Sequence, residues 1–187
     1  MTHDNSHNRA DFYEELYHRP DDIRQYEQKM VGEALQAVIR KRNVFEVGCS
    51  TGYWTQFISP AAINIVAIDP RPEAVEIARA KSYFCPVTFE VLDPYDLPYH
   101  EHSFDGGVVS FWFHDIPRER LSEFLTEFHR VLKPGSHVFI ADEVREGGYT
   151  SSNLVEALAP YAESFGQGNI FFAKHYWYAA YTVKEAM

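Results

Sequence analysis

Apolar residues recur every three or four positions between Asp21 and Lys41, at Ile23, Tyr26, Met30, Val31, Ala34, Leu35 and Val38. That spacing predicts an amphipathic helix capped by Asp21 or Asp22, with Lys41 and Arg42 near its C-terminal end. Ahead of it, Phe12 to Tyr17 reads as a short helix stopped by Pro20. Residues 1–10 are polar and expected to be disordered. Beyond residue 42 two periods alternate. Short apolar runs predict strands near 43–47, 63–68, 87–91, 105–111 and 136–141, and helical spacing predicts helices near 53–59, 72–82, 118–132 and 152–164. The helix at 118–132 is the clearest, with Leu121, Phe124, Leu125, Phe128, Val131 and Leu132 on one face and Pro134-Gly135 ending it. Such alternation implies right-handed crossovers and a mainly parallel sheet covered on both faces. After Gly168 the pattern changes. Residues 169–173 and 175–183 are aromatic and β-branched, which predicts two tightly joined strands, or one bent strand, on an antiparallel edge. The expectation is an α/β, doubly wound sheet of seven strands.

Bulk properties narrow the function. The chain has 187 residues, enough for one domain with a sizeable core, expected over 11–187. Hydrophobic residues make up 45% and charged residues 24%. That is an ordinary globular balance. A formal charge of −10 with no basic stripe argues against a phosphate-backbone partner, so a nucleic-acid substrate is not expected. Cys49 and Cys85 form no disulfide or zinc framework, which fits a reducing, cytoplasmic setting. No apolar run suits a signal peptide or a bilayer span.

The richest chemistry lies in Val44-Phe45-Glu46-Val47-Gly48-Cys49-Ser50-Thr51-Gly52, an apolar strand running into a glycine turn. The letters Gly48-x-Ser50-x-Gly52 match a serine-hydrolase elbow, and Asp142 and His175 follow in the order a triad needs. That reading leaves Glu46 and Asp69 without roles and little chain for an oxyanion loop. A dinucleotide loop needs a third glycine position that this turn lacks.

The whole set of motifs resembles the class I S-adenosylmethionine-dependent methyltransferases. Glu46-x-Gly48-x-Ser50-x-Gly52 is similar to the first family motif, with Ser50 in the middle glycine position. The resemblance implies that Glu46, Gly48, Cys49, Ser50 and Gly52 surround the methionine part of the cofactor. Asp69, in Val66-Ala67-Ile68-Asp69-Pro70, matches the acid that accepts hydrogen bonds from both ribose hydroxyls. Val91-Leu92-Asp93-Pro94-Tyr95-Asp96-Leu97-Pro98 followed by Ser103-Phe104-Asp105 looks like the adenine-binding stretch, with Asp93 accepting from the exocyclic amine. Pro94 lacks the N–H that commonly meets an adenine ring nitrogen, so that contact is either lost or moved, to Tyr95 for example. Ser110 falls beside the methionine end, and Arg130-Val131-Leu132-Lys133-Pro134-Gly135 resembles the turn opening the fifth strand. These motifs span residues 43–142 in family order. They imply a Rossmann-like fold, with helices over 11–42, a cofactor-binding core over 43–142 and a helix and strands over 143–187.

Methyl transfer leaves the protein to position a nucleophile, exclude water and, for a protonated acceptor, remove a proton. His114, next to Asp115, is the candidate general base, since histidine exchanges protons near neutrality. The bland alternative is a packed loop histidine. His100 and His102 flank Glu101 in what reads as a solvated loop, so no metal is expected. Trp112, Phe113 and Tyr13 are candidates for the acceptor pocket, with Tyr149 and Trp177, and Tyr17 for a lid over the cofactor. Core packing is the commoner fate of such rings. The expected function is S-adenosylmethionine-dependent methylation, with S-adenosylhomocysteine as product, at oxygen or nitrogen of a small molecule by a monomer or homodimer. The alternatives are a cofactor-binding module without catalysis and the Ser50 hydrolase.

Overall fold

The computed structural model describes residues 22–184. Seven strands form one sheet: β1 (Asn43–Val47), β2 (Asn64–Asp69), β3 (Val87–Val91), β4 (Phe104–Ser110), β5 (Leu132–Glu143), β6 (Ile170–Phe172) and β7 (Tyr176–Thr182). Their order is β3-β2-β1-β4-β5-β7-β6, and β7 alone runs against its neighbours. The expected doubly wound sheet with an antiparallel late pair is therefore present. The order of the strands reverses between β1 and β4, which opens a crevice at the carboxyl ends of those strands.

Among the described residues five α-helices cover the sheet: α1 (Asp22–Ile39), α2 (Tyr53–Ile58), α3 (Pro72–Arg79), α4 (Leu121–Arg130) and α5 (Ser151–Leu158). Helix α4 buries Phe124, Leu125 and Phe128 in one cluster with Phe45, Val109 and Ile140. Burying each such side chain is worth about 1.5–3 kcal/mol. A second cluster joins Val31, Leu35 and Ile39 of α1 to Val44, Ile65 and Phe139. The two clusters account for both hydrophobic faces of the sheet.

Several features depart from the sequence expectation, among them the helix expected over 152–164, which ends at Leu158. The helix expected from 118 begins as a 3-10 turn, Arg118–Arg120, and becomes α-helical at Leu121. Pro117, with ψ 135°, keeps the chain extended just before that turn. Pro134-Gly135 lies inside β5, where Gly135 has φ +76° and the register against β4 shifts between Phe104 and Gly106. That pair makes a bulge within a strand rather than a simple turn. Ile23 and Tyr26, counted into the apolar face of α1, are exposed (51% and 65%). Glu27 and Gln28 are buried instead.

Those two polar side chains are satisfied by the late hairpin. Glu27 accepts from the backbone N–H groups of Lys174 (3.0 Å) and His175 (2.9 Å), and Gln28 donates to the Tyr176 hydroxyl (3.0 Å). Arg24 reaches the same hydroxyl (3.2 Å) and Glu143 (3.1 Å). An acid that accepts two backbone donors caps the turn between β6 and β7, which is why a buried carboxylate is tolerated there.

Candidate cofactor and acceptor site

Strands β2, β1 and β4 are neighbours, so Asp69, the turn after Val47 and Ser110 meet at one edge of the crevice. The turn is drawn tight by Ile68, whose carbonyl accepts from Gly48 N (2.9 Å) and Cys49 N (3.1 Å). Gly48, Ser50 and Gly52 all have left-handed backbones, with φ of +79°, +48° and +81°. At Gly48 a β-carbon would stand 2.3 Å from Trp112 Cβ, and at Gly52 one would stand 2.2 Å from the Tyr83 hydroxyl. Those two positions need glycine for space as well as for φ. Ser50 takes the left-handed conformation at a cost of roughly 1–2 kcal/mol for a residue with a β-carbon. Its N–H donates to Asp69 Oδ2 (2.9 Å), which offsets part of that cost. The Ser50 hydroxyl is buried and makes no hydrogen bond.

Glu46 is completely buried beneath the turn. Its Oε2 accepts from Thr55 Oγ1 (2.7 Å) and its Oε1 from Ser110 Oγ (2.8 Å). Burial pushes its carboxyl up to about 7, against the opposing pull of those two hydroxyl donors. Glu46 therefore ties β1, α2 and β4 together under the turn. Burial also pushes the Cys49 thiol well up. Cys49 is thus a packing residue of the turn and not a ready nucleophile.

Asp69 has no exposed side-chain surface, and both of its oxygens are engaged. Oδ1 accepts from Arg71 N (3.0 Å) and Arg71 Nε (2.9 Å). Oδ2 accepts from Ser50 N (2.9 Å) and Arg71 Nη2 (2.9 Å). Pro70 between them is exposed. Asp93 lies two residues past β3, whose last residue Val91 pairs with Asp69, so the two acids stand at adjacent strand tips. Asp93 is exposed and its Oδ1 accepts from Tyr95 N (3.0 Å), while Pro94 is buried. The Tyr95 N–H, the expected substitute for the donor that Pro94 lacks, is thus spent on Asp93. A small cleft joins this edge to the loop after β4, lined by Gly48, Ser50, Arg71, Ser110, Trp112 and Asp115 among others.

Beyond β4 the chain turns through Phe111, which has φ +52°, into the 3-10 turn Phe113–Asp115. His114 N donates to Asp142 Oδ2 (2.6 Å), and His114 Nδ1 lies 2.7 Å from Asp142 Oδ1. Asp142 itself is 1% exposed at the end of β5. An ionised Asp142 makes Nδ1 the protonated nitrogen and leaves Nε2 as the one with a lone pair. Nε2 is buried, makes no hydrogen bond and lies 3.4 Å from Asp115 Oδ1. Sequence reasoning paired His114 with adjacent Asp115 and missed Asp142. The available signal was an acid at the tip of the strand next to β4.

The hydrolase triad is not assembled. Asp142 holds His114, and His175 is bound by Glu27 through its backbone N–H and by Nδ1 at 3.0 Å. Trp112 is 8% exposed and lines the cleft, whereas Phe113 is fully buried between Tyr149 (4.7 Å between centroids) and Trp177 (5.7 Å). Trp177 is likewise core, and Tyr149 carries the Arg118 guanidinium on its ring at 3.7 Å. Tyr13 and Tyr17 lie outside the described residues. His100 and His102 are exposed, and His102 Nδ1 faces Leu132 O (3.0 Å). Among the described residues no three His, Cys, Asp or Glu side chains converge on a metal position. None of the described helices is long and apolar enough to cross a membrane.

Residues 44–135 match the family described as a methyltransferase domain. The O-methyltransferase rstn1 of Aspergillus nomiae is 31% identical over 140 residues, covering 72% of this chain and 60% of that protein. The ubiquinone/menaquinone biosynthesis C-methyltransferase UbiE of a Geobacter species is 35% identical over 88 residues, covering 45% of this chain and 37% of that one. The chain thus spans less than two thirds of the length of these relatives. The crystal structure of the N-methyltransferase NodS from Bradyrhizobium japonicum in complex with S-adenosylhomocysteine superposes with a TM-score of 0.71 at 16% identity, covering 97% of this chain and all of that one (100%). Fold, ordered motifs and the matched family agree on a class I S-adenosylmethionine-dependent methyltransferase domain over residues 44–135. The residues present fit that cofactor: glycine at Gly48 keeps a β-carbon out of the cleft, and Asp69 places a buried carboxylate at the neighbouring strand tip.

Proposed function

We propose that the protein methylates an oxygen or nitrogen of a small-molecule acceptor, with His114 as the general base. Bound S-adenosylmethionine supplies a methyl group on a positively charged sulfur. Glu46, Gly48, Cys49, Ser50, Gly52 and Ser110 surround its methionine end, Asp69 and Pro70 the ribose, and Asp93 and Pro94 the adenine. Trp112 shields the reacting end from water. Tyr17 is assigned to the cofactor and Tyr13 to the acceptor from the sequence alone.

The observation carrying this reading is the His114–Asp142 pair. Two hydrogen bonds to Asp142 fix the ring and its tautomer, and Nε2 has no other hydrogen-bonded partner. With the cofactor supplying the methyl group and its sulfur leaving as the neutral thioether, the acceptor's proton would pass to His114 Nε2. The new cation is balanced by Asp142 and Asp115. Asp142 is a positioning residue, because it acts through His114. A small acceptor is favoured by the short path from β5 to β6, which holds only α5, a 3-10 turn and loops. A monomer or homodimer in the cytoplasm completes the proposal.

Calorimetric titration with S-adenosylhomocysteine tests the first step; folded protein that fails to bind at millimolar ligand would remove the reading. A panel of phenols, hydroxy acids and amines with tritiated S-adenosylmethionine tests the second. Product released by the wild type and by a Ser50→Ala variant alike supports transfer without a serine nucleophile. Labelling of Ser50 by a fluorophosphonate would contradict it.

A further inference from the structure

A carboxylate offers about four lone-pair sites for hydrogen bonds. At Asp69 all of them are taken, by the backbone N–H groups of Ser50 and Arg71 and by Nε and Nη2 of Arg71. The two backbone donors belong to the turns themselves. The other two belong to a planar fork on a side chain that is itself partly exposed, 27% against 0% for the acid. A ribose 2′,3′-diol also presents two donors side by side. The guanidinium thus fills the two acceptor sites that a ribose would require, on the same carboxylate. Arg71 also lines the cleft, together with Trp112 and Asp115.

We infer that Arg71 is a latch on the cofactor site, holding the ribose-binding carboxylate by the bonds the nucleoside must replace. The inference rests on Asp69 being the ribose ligand. Binding is then an exchange. The guanidinium leaves, the two hydroxyls take its places, and the Ser50 and Arg71 backbone donors stay. Each charge-assisted bond given up in the free protein subtracts from the net gain of binding. The latch therefore weakens affinity chiefly by slowing association, because Arg71 must open first.

The experiment is stopped-flow fluorescence and calorimetry with S-adenosylhomocysteine on wild type, Arg71→Ala, Arg71→Lys and Asp69→Ala. Arg71→Ala is expected to bind at least about tenfold more tightly, through a faster association rate and an unchanged dissociation rate. Arg71→Lys, a point charge without the fork, should fall between the two. Because buried Asp69 loses its charged partner in Arg71→Ala, the variant's folding is checked by circular dichroism. The wild type supplies an independent readout: its Arg71 Nε–H should be protected from exchange in the free protein and lose that protection on adding ligand. Affinity equal to or below wild type in folded Arg71→Ala or Arg71→Lys, with Asp69→Ala still weakened, would overturn the latch. Unchanged affinity in Asp69→Ala would instead overturn the assignment of Asp69 to the ribose.

Discussion

Asp142 grips His114 twice, at the backbone N–H (2.6 Å) and at Nδ1 (2.7 Å), from a position 28 residues further along the chain. The grip spans neighbouring strands β4 and β5: their register pairs Ser110 with Ala141, Asp142 is the next residue of β5, and His114 lies in the 3-10 turn that follows β4.

Replacing His114 by Ala is expected to lower kcat by about 10²–10⁴, the usual worth of a positioned base, and to leave S-adenosylhomocysteine affinity unchanged. Asp142→Asn keeps the shape but frees the other tautomer, so kcat should fall while the acceptor KM stays near wild type. Steady-state kinetics beside calorimetry check both. Equal loss of cofactor affinity would place His114 in binding rather than in proton transfer.

At Ser50 the backbone is left-handed, with φ +48°. Ser50→Gly should raise stability by about 0.5–1 kcal/mol, since that strain exceeds the extra entropy glycine adds to the unfolded chain. Transfer activity should persist. Urea denaturation and turnover measure the two effects separately, and abolished turnover with intact cofactor affinity would revive a chemical role for the hydroxyl.

Gly48→Ala should do the opposite. Its β-carbon would lie 2.3 Å from Trp112 Cβ and 2.9 Å from Trp112 Cγ, on a backbone with φ +79°. Overpacking and strain together predict a loss of about 2–4 kcal/mol and a closed cleft. A thermal melt and a cofactor titration on the same sample show whether both occur.

Two buried titratable groups set opposing pH dependences. Glu46 has its carboxyl raised from 4.5 to about 7 by burial. The folded state keeps a proton that the unfolded chain loses, and stability falls as pH rises through that window. His129, bonded to Leu125 O and the Tyr181 hydroxyl, is lowered from 6.5 to about 4 by burial. There the unfolded chain gains a proton the folded state refuses, and stability falls as pH drops from 6.5 towards 4. Between pH 4.5 and 6.5 the two slopes oppose each other. His129→Gln should uncover a decline of about 1.4 kcal/mol per pH unit across that range, and Glu46→Gln a rise of similar size. Denaturation at a series of pH values reads both slopes, and a flat profile in either variant would contradict the assignment.

Local patterns carried most of the sheet. The strands at 43–47 and 87–91 fall where their apolar and β-branched runs begin and end, because each is short and bounded by turns. Strand β5 runs from Leu132 to Glu143, past the expected 136–141, because antiparallel pairing with β7 extends it to Glu143 and the bulge at Gly135 lets it start early. Neither cause is local. The cofactor acids were legible because motif spacing and strand ends coincide at Glu46, Asp69 and Asp93. The partner of His114 was not, since a 28-residue separation leaves no periodic trace. Arg71 was legible in principle, two residues from Asp69, but a fork folding back onto its own turn has no signature beyond that proximity. Glu27 and Gln28 on α1 read as solvent-facing for the same reason that Asp142 did not read as the partner of His114: their partners lie 148 residues away.

Helix α1 leaves the ribosome long before the β6–β7 hairpin that satisfies Glu27, Gln28 and Arg24. Until Lys174, His175 and Tyr176 emerge, a carboxylate and an amide destined for burial have only water to bond. The nascent chain therefore gains nothing by docking α1 early through this polar end. The parallel strands can pair first, and final closure of the molecule waits for the late hairpin.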